Sequence, residues 1–194
     1  MPLAVARLLA RARDRGQRPE AQLIEGWMIE PVHRPAREVW IWGAGHVGRA
    51  IVDVMAGLPE VEITWVDTAL ERFPDVVPEG VTLLPAARPE ALVRHAPEGV
   101  EHLVLTYSHT LDLDLCHALL EHRFAFAGLI GSATKWARFR TRLAALGHAP
   151  ERIAAITCPI GDPALGKHPQ AIAVGVAVEF LARAGATARG EMRA

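Results

Sequence analysis

Three glycines stand at a spacing that could hold a phosphate group. Gly43, Gly45 and Gly48 form a G-x-G-x-x-G pattern directly after the apolar residues 39–42. In such a pattern the first glycine permits a tight turn, the second lets the backbone approach a pyrophosphate, and the third allows a helix to pack closely. The phosphate would lie on the N-terminus of that helix. The pattern indicates binding of a dinucleotide or related nucleotide, although a purely structural turn uses the same residues.

An acidic residue follows the glycines at the spacing typical of such a site. Asp67 ends the apolar run 61–66, about 20 residues beyond the glycines, where a carboxylate receives ribose hydroxyls. A carboxylate there repels a 2′-phosphate, so we expect NAD rather than NADP if a nicotinamide dinucleotide binds, with Arg72 nearby softening that choice. His46 and Val47, inside the glycine turn, belong to the same candidate site, where His46 faces either the ligand or solvent.

Further polar residues and glycines follow the later apolar runs, and ligands of parallel sheets bind beyond the carboxyl ends of strands. The additional candidates for cofactor binding are Thr106, His109, Asp112, Gly131, Ser132, Lys135, Cys158 and Lys167. His109 and Asp112 could begin a metal site, but a helix cap is the commoner use of such a pair, and we expect no metal. Gly131 and Ser132 either hold a phosphate, with basic side chains nearby, or cap a helix. Cys158 could be a reactive thiol, but we expect no catalytic residue.

The order of apolar runs predicts the elements that position these residues. Short runs bounded by glycine, proline or charge alternate with helix-like segments. Strands are predicted at 39–42, 61–66, 81–84, 103–106 and 126–130, and helices at 47–58, 89–95, 111–122, 134–146 and 169–184. Repeated strand-then-helix order requires right-handed crossovers and a mostly parallel sheet. The sequence therefore predicts an α/β, Rossmann-like, doubly wound fold with a short N-terminal helical appendage.

The predicted domain organisation has one main unit. Residues 1–36 contain an amphipathic helix at 2–15, an extended segment at 23–30 and a linker. The first residues mildly resemble a transit peptide, because they are rich in arginine and poor in acids, but the spacing of their apolar residues favours the amphipathic helix. Residues 37–185 form the Rossmann-like nucleotide- or cofactor-binding domain, and residues 186–194 form a polar tail.

Composition limits the classes of partner. The 194 residues are 51% hydrophobic and carry a net charge of -1, so one substantial core is expected and no global field attracts nucleic acid or an anionic membrane. The N-terminal segment has no long apolar core, so we expect it to be neither a signal peptide nor a membrane span. Two cysteines without metal-ligand spacing fit a reducing cytoplasm, and Cys116, inside a helical pattern, is expected to be a buried small hydrophobe.

Five segments together resemble the XdhC family of xanthine dehydrogenase accessory proteins, from Val39 to about Phe180. They are GAGHVGRA, VDTALERFPD, LTYSHTLDLDL, FAGLIGSATKWARFRTRL and CPIGDPALGKHPQAIAVGVAVE. The resemblance implies a Rossmann domain in a homodimeric maturation factor. Such a factor would hold the molybdenum cofactor (molybdopterin) while a cysteine desulfurase supplies a sulfur ligand, protect it, and deliver it to xanthine dehydrogenase.

The sequence departs from that family in two places. Family members carry a longer N-terminal domain with a Gly-Cys motif implicated in cofactor binding, and no Gly-Cys pair occurs in this sequence. Residues 1–35 look like the start and the end of that domain joined together. The family's Thr-His-Asp-His turn is replaced by Thr-Tyr-Ser-His at 106–109, so only Thr106, His109 and Asp112 carry over there.

Three functions remain open from the sequence. A non-catalytic cofactor chaperone is favoured, because little chain follows the last motif to form a substrate domain. The first alternative is an oxidoreductase that binds NAD and uses His109 or Cys158. The second is a nucleotide-sensing or structural partner that binds xanthine dehydrogenase, or its sulfur donor, without carrying the metal.

Overall fold

The computed structural model describes residues 1–15, 21–30 and 37–191, with the backbone alone for 13–15 and 184–191. The chain forms two compact units, residues 1–34 and 35–194. Within the described ranges, no helix is both long and apolar enough to cross a membrane. The predicted linker at 31–35 and the last three residues of the predicted tail lie outside the described residues.

The N-terminal unit contains a helix and a hairpin. Helix α1 spans Leu3–Arg15, as predicted, and strands β1 (Gln22–Ile24) and β2 (Trp27–Ile29) pair antiparallel. The predicted extended segment is therefore a hairpin. Its turn residues Glu25 and Gly26 both have positive φ, the conformation that closes two-residue hairpins.

The second unit is built on six parallel strands, which confirms the predicted Rossmann-like fold. The strands are β3 (Arg37–Trp42), β4 (Val61–Asp67), β5 (Val81–Pro85), β6 (Glu101–Val104), β7 (Phe126–Leu129) and β8 (Ile156–Thr157). Their order in the sheet is β5-β4-β3-β6-β7-β8. The helices are α2 (His46–Met55), α3 (His109–Leu120), α4 (Ala133–Ala145), α5 (Pro150–Ile153) and α6 (Pro169–Glu191).

Both faces of the sheet are covered by apolar packing, as parallel sheets require. Along β3, Val39 and Ile41 join the apolar cluster that contains residues of α2 and α6, whereas Trp40 and Trp42 join the cluster that contains residues of α3 and α4. This alternation follows the two-residue period of a strand. Cys116 is fully buried in the second of these clusters, as predicted.

Several boundaries differ from the predicted ones for identifiable reasons. β6 begins at Glu101 rather than at residue 103. Its first two residues, Glu101 and His102, are polar but buried, so the apolar pattern did not include them. The segment Pro89–His95 is a 3-10 helix rather than an α-helix. β8 was not predicted, since two residues carry no periodic signal. α6 continues beyond residue 184 to Glu191.

Candidate functional site

The direction of winding of the sheet changes between β3 and β6. The chain builds β4 and β5 on one side of β3, then returns to place β6, β7 and β8 on the other side. The ends of the two central strands are joined, because the amide of Leu105 donates to the carbonyl of Trp42 at 2.9 Å. Ligands of open α/β sheets bind in the crevice at this switch point.

Two of the three glycines in the turn after β3 are required by the fold itself. Gly43 has φ +125°, and a Cβ there would lie 2.5 Å from the carbonyl oxygen of Leu105. A Cβ on Gly48 would lie 2.0 Å from the carbonyl oxygen of Gly43. These glycines therefore permit the turn and bring α2 close to β3, as their spacing predicts.

Gly45 is a glycine that the fold does not require. Its φ is -73°, which any residue adopts, and a Cβ there would meet no atom within 4 Å. The open space beside it is a pocket of about 360 Å³, whose lining includes His46, Arg49, Glu71, Arg72 and Tyr107. Val47, by contrast, is half-buried against the apolar cluster under α2.

The N-terminus of α2 opens onto this pocket. Gly45 is its N-cap and supplies no side chain to bond the first N–H groups, which also lack partners within a helix. Those groups and the helix dipole favour an anion. The pocket can therefore bind a phosphate oxygen through backbone donors.

Asp67, at the end of β4, is 3% exposed and bonded to protein groups. Its Oδ2 accepts from the amide of Ala44 at 2.6 Å. Its Oδ1 accepts from the amide of Thr68 at 2.6 Å, from the Thr68 hydroxyl at 3.1 Å and from Arg72 Nε at 3.2 Å. The predicted residue is thus at the predicted strand end, but its carboxylate holds the turn together.

Arg72 is held beside the pocket from three directions. Its Nε donates to Asp67, its guanidinium lies 4.3 Å from the ring centroid of Tyr107, and its carbonyl accepts from Arg49 at 2.8 Å. Arg49 also donates to the carbonyl of Ala44 at 3.1 Å, so it joins the glycine turn to the 3-10 turn Leu70–Arg72. Tyr107 is 64% exposed, and it was not selected as a site residue from the sequence. Its position directly beyond β6 could have identified it.

A second polar cluster lies beyond β6 and β7. The Oδ1 of Asp112 accepts from the amide and the hydroxyl of Thr106, both at 2.8 Å, and its Oδ2 accepts from Lys135 Nζ at 2.6 Å. Lys135 Nζ also donates to the carbonyl of Ile130 at 3.0 Å. The side chains of Asp112 and Lys135 are 1% and 10% exposed, so this is a buried ion pair that joins α3 to α4.

Cys158 lies beside that cluster and is one of the residues that line a second groove. Its Sγ lies 3.8 Å from the carbonyl of Gly131, and burial raises the pKa of its thiol to about 11, although Lys135 acts in the opposite direction. The groove has a volume of about 800 Å³, and α4 contributes Trp136 and Arg140 to its wall. This groove was not predicted, because it depends on how α4 packs against residues 150–158, the segment that follows it in the chain, and residue types alone do not show that packing.

The remaining candidates have simpler positions. Ser132 accepts from the amide of Lys135 at 3.2 Å, which makes it the N-cap of α4. His109 is exposed in the first turn of α3, whose N-cap is Ser108. Lys167 is exposed before α6 and does not line the 360 Å³ pocket. Within the described residues, no group of three or more histidine, cysteine or acidic side chains is placed to hold a metal.

Most of the candidates therefore fall into two groups rather than forming a single site, and Val47, His109, Ser132 and Lys167 belong to neither group. The pocket at the switch point is lined by part of the glycine turn, His46 and Arg72, and Asp67 is bonded to two of its lining residues, Ala44 and Arg72. The neighbouring, partly buried cluster contains Thr106, Asp112, Gly131, Lys135 and Cys158. Only the first group encloses an open pocket beside a helix N-terminus.

Comparison with known proteins identifies relatives of the second unit. The family model of the XdhC Rossmann domain matches residues 39–180. The uncharacterized protein YqeB of Escherichia coli K12 is 32% identical over 151 residues, which are 77% of this chain and 28% of that protein.

Solved structures share the fold. One described as a xanthine dehydrogenase from Bacillus halodurans matches with a TM-score of 0.66 and 17% identity, over 85% of this chain and 48% of that chain. The E. coli tRNA N6-threonylcarbamoyladenosine dehydratase matches with a TM-score of 0.50 and 13% identity, over 80% of this chain and 89% of that chain. The chain thus spans less than a third of YqeB and about half of the B. halodurans chain.

Proposed function

Because this chain belongs to the XdhC family, we propose that it binds the molybdenum cofactor and acts in the maturation of xanthine dehydrogenase. In this role it protects the cofactor, without catalysing a reaction, and delivers it to the enzyme. Family membership supports the maturation role, and the pocket at the switch point supports binding of a phosphate-bearing ligand.

The observation that carries the proposal is the missing side chain at Gly45. Neither its φ nor any neighbouring atom requires glycine, in contrast to Gly43 and Gly48. A ligand that approaches the backbone at this point explains why the position is left without a side chain. The first residues of α2 and the side chain of Arg72 line the same pocket beside Gly45.

The residues of the pocket fit the phosphate end of such a cofactor. Backbone N–H groups of α2 bind the phosphate, Arg72 contributes positive charge, and Tyr107 offers an aromatic surface. No cysteine lines this pocket, so its residues bind and orient the organic part of the ligand rather than coordinate the metal. The cofactor supplies the oxidation chemistry of the enzyme that receives it.

The test is co-elution of cofactor with the protein. The full chain is mixed with molybdenum cofactor, freed of excess by gel filtration, and analysed for molybdenum and pterin. We expect co-elution with the unaltered protein, its loss in Gly45→Trp, and its retention in Gly57→Trp, a matched change at an exposed glycine just beyond α2. Undiminished binding by Gly45→Trp would place the cofactor elsewhere. Clean separation from the unaltered protein would refute the proposal.

Delivery requires partner proteins. We propose xanthine dehydrogenase as the recipient, a cysteine desulfurase as the sulfur donor, and a homodimer as the carrier. The loaded protein should activate cofactor-free xanthine dehydrogenase faster than the same amount of free cofactor does. Equal rates would contradict delivery without affecting binding.

The oxidoreductase alternative needs a residue that acts on a substrate beside the bound cofactor. The two residues available to that hypothesis, His109 and Cys158, do not line the pocket. The nucleotide-sensing alternative is separated by the gel-filtration experiment, since it predicts bound nucleotide without molybdenum.

A further inference from the structure

We propose that the pocket selects ligands by a terminal phosphate monoester, which Arg72 binds, and that it does not read a ribose diol through Asp67. The inference concerns the same pocket as the proposed function and rests on that pocket being a ligand site. It names the chemical group that the pocket recognises.

Both carboxylate oxygens of Asp67 already accept hydrogen bonds from the protein. In dinucleotide-binding folds the carboxylate at this strand end accepts hydrogen bonds from ribose hydroxyls. Here Oδ1 already has three donors and Oδ2 is bonded to the amide of Ala44, and the side chain is 2% exposed. A ribose diol would have to displace the donors of the chain's own turn, so this carboxylate is not available to it.

Arg72 is fixed in position but keeps part of its guanidinium available to a ligand. Its Nε is committed to Asp67, but the hydrogen bonds found within the described residues use neither of its Nη groups. The ring of Tyr107 and the bond from Arg49 to the Arg72 carbonyl fix the position of the guanidinium. The side chain is 37% exposed and lines the pocket. A planar guanidinium with a free Nη edge is suited to the oxygens of a phosphate.

The groups around the pocket carry charges of both signs. The carboxylate of Asp67 is compensated by Arg72 and two backbone amides, so it repels an incoming phosphate little. The N-terminus of α2 adds partial positive charge. Glu71 is the carboxylate that lines the pocket and opposes an anion there. Arg72 and Glu71 therefore act in opposite directions on phosphate affinity.

These contacts favour the opposite of the preference predicted from the sequence. The presence of Asp67 predicts NAD over NADP, but its buried and bonded state removes the reason. An arginine near this strand end accommodates the 2′-phosphate of NADP. The phosphate of the molybdenum cofactor presents the same terminal group, so the shared chemistry is a phosphate monoester on a larger heterocyclic ligand.

The experiment is calorimetric titration of the full chain with NADP and, separately, with NAD at one fixed ionic strength. We expect NADP to bind at least about ten-fold more tightly, a factor that corresponds to about 1.4 kcal/mol. Arg72→Gln should bring that ratio close to one, because it lowers NADP affinity more than NAD affinity. Glu71→Gln should tighten NADP binding, and the exposed Arg142→Gln on α4 should change neither affinity.

A second measurement separates the source of the phosphate. Arg72→Gln and Arg142→Gln are carried through the gel-filtration experiment with molybdenum cofactor. Cofactor uptake that depends on Arg72 identifies the cofactor's own phosphate as a ligand of this site. Phosphate selectivity between the two nucleotides, without cofactor uptake, would support this inference and refute the proposed function.

Other outcomes overturn the inference. Equal affinity for the two nucleotides, or tighter binding of NAD, contradicts it while leaving cofactor binding open to its own test. Absence of nucleotide binding together with cofactor uptake that is unchanged by Arg72→Gln also contradicts it, as does failure to bind any of the three ligands. If Arg72→Gln does not fold, the affinity ratio of the unaltered protein and the effect of Glu71→Gln decide.

Discussion

The carboxylate of Asp67 is bonded to the glycine turn itself, since its Oδ2 accepts a 2.6 Å hydrogen bond from the amide of Ala44. This bond joins the end of β4 to the turn between β3 and α2. The same carboxylate bonds Thr68 and Arg72, so one buried side chain holds the two segments that border the pocket. Its role in stability can be measured independently of any ligand.

Asp67→Asn should destabilise the protein. The two oxygens of Asp67 face backbone donors on both sides, and an amide group must turn its own N–H toward one of them. A buried donor left without an acceptor costs about 1–3 kcal/mol. Urea unfolding measures the loss, and the exposed Asp75→Asn should stay within about 0.5 kcal/mol of the unaltered protein. Equal midpoints for the two variants would contradict the assignment.

The glycines of the turn should respond differently to alanine. A Cβ at Gly48 meets a backbone oxygen at 2.0 Å, so Gly48→Ala should cost about 3 kcal/mol or more in the free energy of unfolding. Gly45→Ala has free space and an ordinary φ, so it should change the free energy of unfolding by no more than about 1 kcal/mol: the lower entropy of the unfolded chain favours alanine, and the N-cap position favours glycine. Chemical denaturation of both variants checks this contrast. A large loss at Gly45 would show that the fold, not a ligand, requires glycine there.

Lys135→Met should be costly because it leaves Asp112 buried without its cation. Removing one partner of a buried ion pair typically costs about 3–5 kcal/mol. Asp112→Asn in the same chain should recover part of that loss, since no unpaired charge then remains. A double-mutant cycle of unfolding free energies measures the coupling between the two side chains. Additive losses would mean that the 2.6 Å contact contributes no coupling.

Cys158 should be slow to alkylate at neutral pH. Burial raises the pKa of its thiol to about 11, and only the thiolate is nucleophilic. The rate of reaction with iodoacetamide should therefore rise about ten-fold per pH unit between pH 7 and 10. Mass spectrometry locates the label, and Cys158→Ser should abolish labelling of the native protein because Cys116 is fully buried. A rate that levels off below pH 9 would contradict the raised pKa.

His102 should make the protein sensitive to acid. Burial, and then the charge of His122, lower its pKa from 6.5 to about 3. Between these values the unfolded chain binds a proton that the folded chain does not, so stability falls as pH falls from 6.5 toward 3. The slope is about 1.4 kcal/mol per pH unit.

The test of that slope is urea unfolding between pH 4 and 7. His102→Gln should flatten it, because glutamine does not titrate and its amide oxygen can still accept from Trp42 Nε1, the donor that His102 Nδ1 now accepts at 3.2 Å. The exposed His168→Gln should leave the slope unchanged. An unchanged slope in His102→Gln would assign the acid sensitivity to other groups.

The sequence predicted those parts of the fold that depend on local pattern. The apolar run before Gly43 and the spacing to Asp67 placed β3, the turn, α2 and β4 correctly. The polar start of β6 was not predicted, because its buried side chains accept hydrogen bonds from distant parts of the chain. Glu101 accepts from Arg37 and His102 accepts from Trp42, which lie 64 and 60 residues away. Such pairings leave no local signal.

The candidate site was predictable in position but not in connectivity. Residue type and spacing located Asp67 at a strand end, and only the hydrogen bonds showed that its carboxylate is already used. Asp112 and Lys135 were both selected from sequence, yet their ion pair depends on the packing of α3 against α4. Sequence spacing identifies candidate ligands, whereas the folded chain decides which of them keep free donors or acceptors.

The open space at Gly45 also allows occupancy of the pocket to be measured through a thiol placed there. A cysteine introduced there would be the fastest-reacting thiol of the described chain, because Cys116 is buried and the raised pKa of Cys158 suppresses its reactivity. A small thiol reagent that reacts at position 45 would enter the mouth of the pocket without straining the backbone, and it would compete with a ligand for that space. The rate of labelling should therefore fall as the pocket fills, which reports occupancy independently of the ligand's own absorbance.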